Sequence, residues 1–543
     1  MTMESKNLGH LGLIAGMCDD LDLVSLLDTL IPCTSAERKI STGLCVKALL
    51  MNCLGFTSRR LYLTPEFFSD KPIAHLLGEG ITADCLNDDR LGRCLDDLYS
   101  FGLTKLFSII CQRAYQVLDL SSQPQFYHLD STSFHLDGTY NQDSYQADDT
   151  CIHITKGYSR DHRPDLNQVC LNLIVENSAG LPLFMEALSG NSSDKKTFVE
   201  SIKTFTAQLT SVPTPRCWVA DSALYSAENI QNLSQMGCWL TRVPETIKEV
   251  KDLITNVLKD KMEHFFEESL SDYRYQNFSS IYGGIAQDWL LVFSKKAYER
   301  EIKTLAKSFH KSSLQESEQF IKLCQQTFSC QQDAQNRLTT FEKKSKYITL
   351  SGLKIVAIEG YLGKGKPKKD ASKVVKGYQI QGQCGCLVAN YEAQKKKLGF
   401  FVLASPEKDL TPSQKLLGYK GQANAEKGFR FLKDPSFQAA TIFVKKHERV
   451  EAVLMLMCLS LLIYTALEIE LRKALKKNQE TLPNQVKKEI QNPTMKWIFA
   501  LLIGIHCLYI EDQKQPILLN IKDIHRKIIK YLSPNIRKYY NLE

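Results

Sequence analysis

The chain has 543 residues, 43 % hydrophobic and 24 % charged, with a net charge of +8. That length exceeds one small domain, that apolar content excludes a disordered chain, and the mild basicity suits a polyanionic partner without requiring one. Seventeen cysteines with no CxxC pair exclude a disulfide-framework protein, and Cys384 and Cys386 lack the companions of a zinc site, so reduced thiols packed as small apolar residues are expected.

No basic segment precedes a long apolar run at the N-terminus, so no signal peptide is expected. Residues 1–118 read as helical: LVSLLDTLI, TGLCVKALLMNCLGF, DDRLGRCLDDLYSFG and TKLFSIICQRAYQVL place apolar residues at three- and four-residue spacing. Asn87 and Asp88 stand where an N-cap belongs. A polar hinge follows at 121–125. The pattern then changes to short β-forming runs, FYHLDSTSF, VCLNLIVE, LPLFMEAL, CWVADSALYS and CWLTRVP, separated by turn residues and one helix near 227–236. Strands alternating with helices predict a mixed α/β domain.

Residues 245–400 interrupt that domain. They read as a charged helical part (249–270), a strand WLLVFS, one long helix (297–345) and a second strand set ending in a lysine-rich loop. Residues 343–376 hold ten lysines against two acids, which suits either a solvated face or a phosphate-contacting one. FFVLAS is a further strand. Two apolar runs, 453–464 and 497–510, fall short of the roughly 18–20 residues of a membrane span and predict buried helices, hence no membrane partner.

Three acids draw the chemistry. Asp130 and Asp221 each end an apolar strand-like run, where a charge is costly unless paired or bound to a metal, and where ligand sites of open α/β sheets collect. Each also fits an ordinary turn-initiating aspartate. The third, Glu426, lies among cations in YKGQANAEKGFRFLK (419–433). On one helix, Tyr419, Gln422, Glu426 and Lys433 fall within an arc of about 60°. Gly421 and Gly428 each cost about 1 kcal/mol there, which predicts close approach by another backbone. Three carboxylates on separate elements can hold two hard cations for phosphoryl transfer, with DNA as a fitting substrate. Trp289, within WLLVFS, reads as a core aromatic rather than a base-stacking platform.

Here the chain resembles DDE-class bacterial insertion-sequence transposases, of the branch with a Tyr-x2-Arg-x3-Glu-x6-Lys helix. It reads Tyr419-x2-Gln422-x3-Glu426-x6-Lys433, with glutamine in place of arginine. HLDST, VADSALYS, GYSRDHRPDLNQV, GNSSDKKTF, TRVP and NPTMKWIFALLIGIH resemble the family as well. The resemblance implies a ribonuclease H-like catalytic domain (122–244 and 400–543) with a β-rich insertion (245–399), preceded by an all-helical, DNA-end-binding domain (1–118). It implies Asp130, Asp221 and Glu426 as catalytic ligands of two Mg2+ ions, with Mn2+ as substitute. Tyr419, Gln422, Lys433, Arg242 and Arg163 become DNA contacts, an ion pair being the other reading of each arginine. The implied partners are terminal inverted repeats and target DNA, held by a homodimer in the cytoplasm at the nucleoid. A nuclease that cuts without joining and a DNA-binding remnant stay open beside the active transposase. A carboxylate-pair glycosidase is disfavoured, because the chain lacks an aromatic sugar platform and is rich in lysine.

Overall fold

Asn87 opens a helix as its neighbours require. The computed structural model describes residues 3–32, 39–56, 63–120, 126–138, 140, 151–159, 163–208, 212, 214–215, 217–361, 370, 372–406, 410–435, 444–511 and 515–542, with the side chains of 194–196 outside that description. In it, the Asn87 side chain accepts from Arg90 N at 2.9 Å and caps Asp88–Phe101. Leu91, Leu95 and Leu98 are buried on the predicted face. Further helices form over Leu23–Leu30, Thr42–Cys53 and Leu103–Val117. A strand precedes them: β1 (Met3–Asn7) pairs antiparallel with His506–Ile510. The first and last parts of the chain are thereby tied together. Tyr540 reinforces this, donating its hydroxyl to Gly9 O at 2.8 Å. The predicted hinge at 121–125 lies outside the described residues.

The chain divides into two compact units, one of Met1–Arg242, Ser280–Gln287 and Ser405–Glu543, the other of Val243–Ser279 and Asp288–Ala404. The first unit carries β2 (Phe126–Leu136), β3 (Asn167–Glu176), β4 (Pro182–Ser189), β5 (Cys217–Ala220) and β6 (Cys238–Val243), in the order β4-β3-β2-β5-β6. β2, β3 and β4 form an antiparallel meander, whereas β5 runs parallel to both β2 and β6. All four residues of β5 are buried, as a parallel strand covered on both faces must be. Cys217 and Cys238 are register partners on adjacent strands, with Cα atoms 4.6 Å apart, and form a disulfide. This corrects the expectation of uniformly reduced cysteines. The 21-residue separation gave no sign that parallel pairing would bring these two thiols face to face.

The apolar run at 453–464 becomes the middle of a helix, His447–Lys477, which packs on Asp88–Phe101, Leu103–Val117, Thr42–Cys53 and β4. By length and composition this helix could cross a membrane, yet 78 % of its apolar window is buried within the protein. Arg449 on it grips Asp96 with two hydrogen bonds of 2.7 Å. The second run splits into a helix, Met495–Leu502, and the strand His506–Ile510, so the single helix expected there is corrected.

Burial pushes Glu451 and Glu470 on the long helix up to about 7. A carboxyl whose folded pKa is raised binds protons in the folded state that the unfolded state has released. These two groups therefore stabilise the fold at pH 5, and their contribution is lost as pH rises from about 4.5 through about 7. The melting temperature will be higher at pH 5.5 than at pH 8, and the double variant Glu451→Gln, Glu470→Gln will flatten that difference.

The second unit holds Phe400–Ser405, Ile285–Ser294, Tyr273–Tyr282 and Glu263–His264, hydrogen-bonded in that order; the tip of the central hairpin, Ser280–Gln287, is assigned to the first unit. Trp289 is 2 % exposed, a core aromatic. The charged part expected to be helical over 249–270 is helical only at Lys248–Asn256, followed by short turns and the Glu263–His264 strand. The long helix expected over 297–345 is two helices, Lys295–Gln325 and Gln331–Lys344. They part because Phe328 leaves the helix to exchange backbone hydrogen bonds of 2.8 Å with Tyr378. Both helices pack through Phe320, Leu323, Ala334 and Leu338 on the hairpin Ile348–Gly360/Val374–Cys386, a small core of its own. Much of the predicted lysine-rich loop, 362–369 and 371, lies outside the described residues.

Candidate active site

Asp130 was expected at a strand end. It sits instead five residues into β2, which continues to Leu136 because its antiparallel ladder with β3 runs on to Leu136–Asn167. The parallel ladder is what stops: its last pair is His128–Val219. Continued by two residues, that register sets Asp130, still on β2, level with Asp221, which lies just past the end of β5. Asp221 caps the short turn Ser222–Leu224, its Oδ1 accepting from Ala223 N at 2.9 Å. The Thr241 hydroxyl on β6 donates to Asp221 O at 2.7 Å and fixes the strand exit. Asp130 Oδ1 accepts from Ser131 N at 2.8 Å.

The 419–433 stretch is not one helix. Pro412–Lys420 ends and Ala423–Leu432 begins across Gly421 and Gln422. Backbone bonds tighten there from the i−4 to the i−3 pattern, Gln422 N reaching Tyr419 O and Asn424 N reaching Gly421 O. The four residues therefore do not share one exposed stripe: Glu426 is exposed in the first turn of the second helix, whereas Gln422 is 8 % exposed at the join. Phe429 and Phe431 supply the packing face, Phe431 lying 4.7 Å from the Tyr464 ring.

The glycines are needed for close approach, but by side chains rather than by a backbone. A Cβ at Gly421 would collide with the Asn177 side chain and the His128 ring, and one at Gly428 would press on Leu461. The neighbours of Gly421 form a clasp that sequence reasoning missed. His128 Nε2 and Asn177 Oδ1 are 2.9 Å apart, and Asn424 Nδ2 donates to Asn177 O at 2.9 Å. Burial lowers His128 to about 4, so the neutral ring holds its proton on Nε2 to serve this bond. Asn177 itself is fixed by the β3–β4 turn, where the buried Glu176 carboxylate accepts from Ser178 N, Ser178 Oγ, Ala179 N and Leu181 N. The clasp thus joins residues two positions before Asp130 and two before Glu426.

Tyr419 reports how closely these parts converge. Burial raises its pKa; the Arg242 guanidinium, hydrogen-bonded to it, opposes the rise, and the carboxylates of Asp221 and Glu426 add to it. One phenol thus senses two of the three acids and one of the candidate DNA contacts. Lys433 closes the second helix with its Nζ 5.7 Å from the centre of the Phe134 ring. Phe134 lies four residues after Asp130, on the same face of β2. Arg163 is turned to Asp165 in a bidentate pair, the closest contact being 2.8 Å.

Residues 121–463, which include all three acids and more than half of the chain, match the family described as "Transposase DDE domain". The chain belongs to the transposase DDE domain family. Residues 3–112 match a "Domain of unknown function (DUF4277)". No curated protein matches the transposase. A solved piggyBac transposase synaptic complex with hairpin DNA aligns over 99 % of this chain and 84 % of that one, at 9 % identity and a TM-score of 0.39, a likeness too low to bear on fold or function.

Family membership makes the transposase an enzyme that cleaves and transfers DNA strands. Such enzymes generally use divalent metals. The donor chemistry fits, since hard cations take carboxylate oxygens and Asp130 and Asp221 are level. Among the described residues, however, no three His, Cys, Asp or Glu side chains are grouped so as to hold an ion. Asp130, Asp221 and Glu426 are the residues that would hold such ions.

Proposed function

We propose that the transposase moves an insertion sequence by a DDE mechanism, with Asp130, Asp221 and Glu426 as its metal-binding carboxylates. The observation that carries this is the level placement of Asp130 and Asp221 at the end of one parallel ladder, with the Glu426 helix pinned to the same strand. Two Mg2+ ions, or Mn2+ in their place, would supply Lewis-acid activation of the attacking oxygen and stabilisation of the leaving one. In the first step a water oxygen attacks phosphorus and frees a 3′-hydroxyl. In the second that hydroxyl attacks a phosphodiester of target or opposite-strand DNA, forming one bond as the other breaks. Tyr419, Arg242 and Lys433 hold phosphates beside the cut, with Arg163 further out. DNA seated against these groups brings Glu426 onto the aspartates.

The five-strand order supports reading the first unit's sheet as a ribonuclease H-like domain, with 245–399 as its insertion. The N-terminal domain (1–118) binds the terminal inverted repeats, and two copies assemble on paired ends at the nucleoid. We place the chain in the Tyr-Arg-Glu-Lys branch despite Gln422. Glutamine keeps a donor there but loses the charge and the bidentate grip of arginine. Gln422→Arg will raise the yield of joined product, its long stem reaching out from the buried join.

The test uses purified protein, Mg2+ and a plasmid carrying the inverted repeats that flank the gene. Cleavage with strand joining is expected. Cleavage alone identifies a nuclease, and binding without cleavage a DNA-binding remnant.

A further inference from the structure

The hairpin of the second unit, Ile348–Gly360 and Val374–Cys386, is covered by helices on one face. Leu350, Leu353, Ile355, Ile380 and Cys384 pack toward Lys295–Gln325 and Gln331–Lys344. The pleat turns the alternate residues the other way. The register then sets them in facing pairs: Thr349 with Gly385, Ser351 with Gln383, Lys354 with Gln381 and Val356 with Gln379. All of these are exposed except Gln379, which is half-buried.

Three properties of this open face bear on what covers it. First, it is a two-stranded antiparallel ribbon. Its strands lie about 4.8 Å apart, and the major groove of B-DNA, about 12 Å wide, admits such a ribbon. Second, its outward side chains are of the kinds that read base edges. Glutamines stand at alternate positions of one strand, 379, 381 and 383, and a glutamine amide pairs through two hydrogen bonds with N6 and N7 of adenine. Ser351 and Thr349 on the other strand can donate or accept, and Val356 offers methyl groups to thymine. Third, the charge suits phosphates on either side of a groove. These outward residues include no acid, Lys354 lies among them, and Lys346, Lys373 and Lys376 are exposed at the two ends of the ribbon. A protein partner would call for aromatic and large apolar side chains at the centre of the face, where amides stand instead.

We infer that this ribbon lies in the major groove of duplex DNA, with Gln381 and Gln383 reading adenines and Lys354 on a phosphate at the groove's rim. The inference rests on the transposase reading above. It adds a second place of sequence recognition, in the insertion rather than in residues 1–118. Phosphate contacts position a protein on DNA without telling sequences apart, whereas amides on base edges do tell them apart.

The experiment measures binding of the full chain to two duplexes carrying the inverted repeat that flanks the gene. One is natural; in the other every adenine is 7-deazaadenine, which keeps pairing and charge but removes the N7 acceptor from the major groove. The wild type is expected to bind the natural duplex at least tenfold tighter, the range of one bidentate pair. The double variant Gln381→Ala, Gln383→Ala will lose about tenfold of that preference while keeping the wild-type affinity for the 7-deazaadenine duplex and the wild-type melting temperature, since both side chains are exposed. Lys354→Ala will weaken both duplexes by the same factor and lower the salt slope of binding by about 1. Equal binding of the two duplexes by the wild type overturns the ribbon's role alone, as does a preference that survives in the double variant. A double variant that binds DNA as the wild type does but sediments as a different oligomer without DNA overturns it too, and makes the face an interface between copies. Failure of the wild type to bind either duplex contradicts the transposase reading and the ribbon's role with it.

Discussion

Asp221→Asn will lower DNA cleavage by about three orders of magnitude while leaving DNA binding and the melting temperature close to wild type. The asparagine amide oxygen can still accept from Ala223 N, and the Thr241 bond goes to the backbone carbonyl, so the turn after β5 keeps its shape. What is lost is the negative charge that binds a divalent cation, and groups that stabilise transition-state charge contribute at about that magnitude. Asp130→Asn, which keeps its bond from Ser131 N, and Glu426→Gln are expected to behave alike. Because the three act as one unit, a double variant will be little worse than a single one. A gel assay of nicked and cleaved plasmid, paired with a binding titration, separates this from simple misfolding. Wild-type cleavage by all three variants would place the chemistry elsewhere.

Gly421→Ala is the second large effect. Its methyl group would occupy the space of the Asn177 side chain and the His128 ring, so the join between the two helices must move. Glu426, in the first turn of the second helix, lies five residues later and moves with it. A displacement of about 1 Å in a catalytic group costs on the order of a hundredfold in rate. Cleavage is therefore expected to fall about a hundredfold with DNA affinity retained. Adding Asn177→Ala removes part of the obstruction and will restore part of the rate. Wild-type activity of Gly421→Ala would show that the clasp does not position Glu426.

Much of this fold is legible residue by residue. Asn87 and the Leu91–Leu95–Leu98 spacing give a helix with its cap, and the Val/Ile/Leu runs around Asp130 and Asp221 give strands of a mixed α/β domain. What escaped was set by partners far away in the chain. MESKN has no strand signal of its own and is extended because it pairs with residues some 500 positions on. The break at 326–330 exists because Phe328 finds Tyr378, not because of a local breaker. The 419–433 stretch shows the same limit within the site. Its spacing fits one helical face, yet packing of Gly421 on Asn177 and His128 divides it, burying Gln422 and leaving Glu426 exposed. The glycine was the readable signal; which atoms needed its space was not. Asn177, Asn424 and Thr241 are common polar residues in turns and strands, and only the register and the turn geometry mark them as supports of the acids.

The central claim is that three carboxylates from two strands and a helix meet on divalent cations once DNA is bound. Iron(II)-directed hydroxyl-radical cleavage of the DNA-bound protein tests it most directly, since the polypeptide is cut beside the bound ion. Cuts next to Asp130, Asp221 and Glu426, all suppressed by excess Mg2+ and absent in Asp221→Asn, are the predicted result. Cuts that leave out Glu426, or that persist in Asp221→Asn, would contradict it.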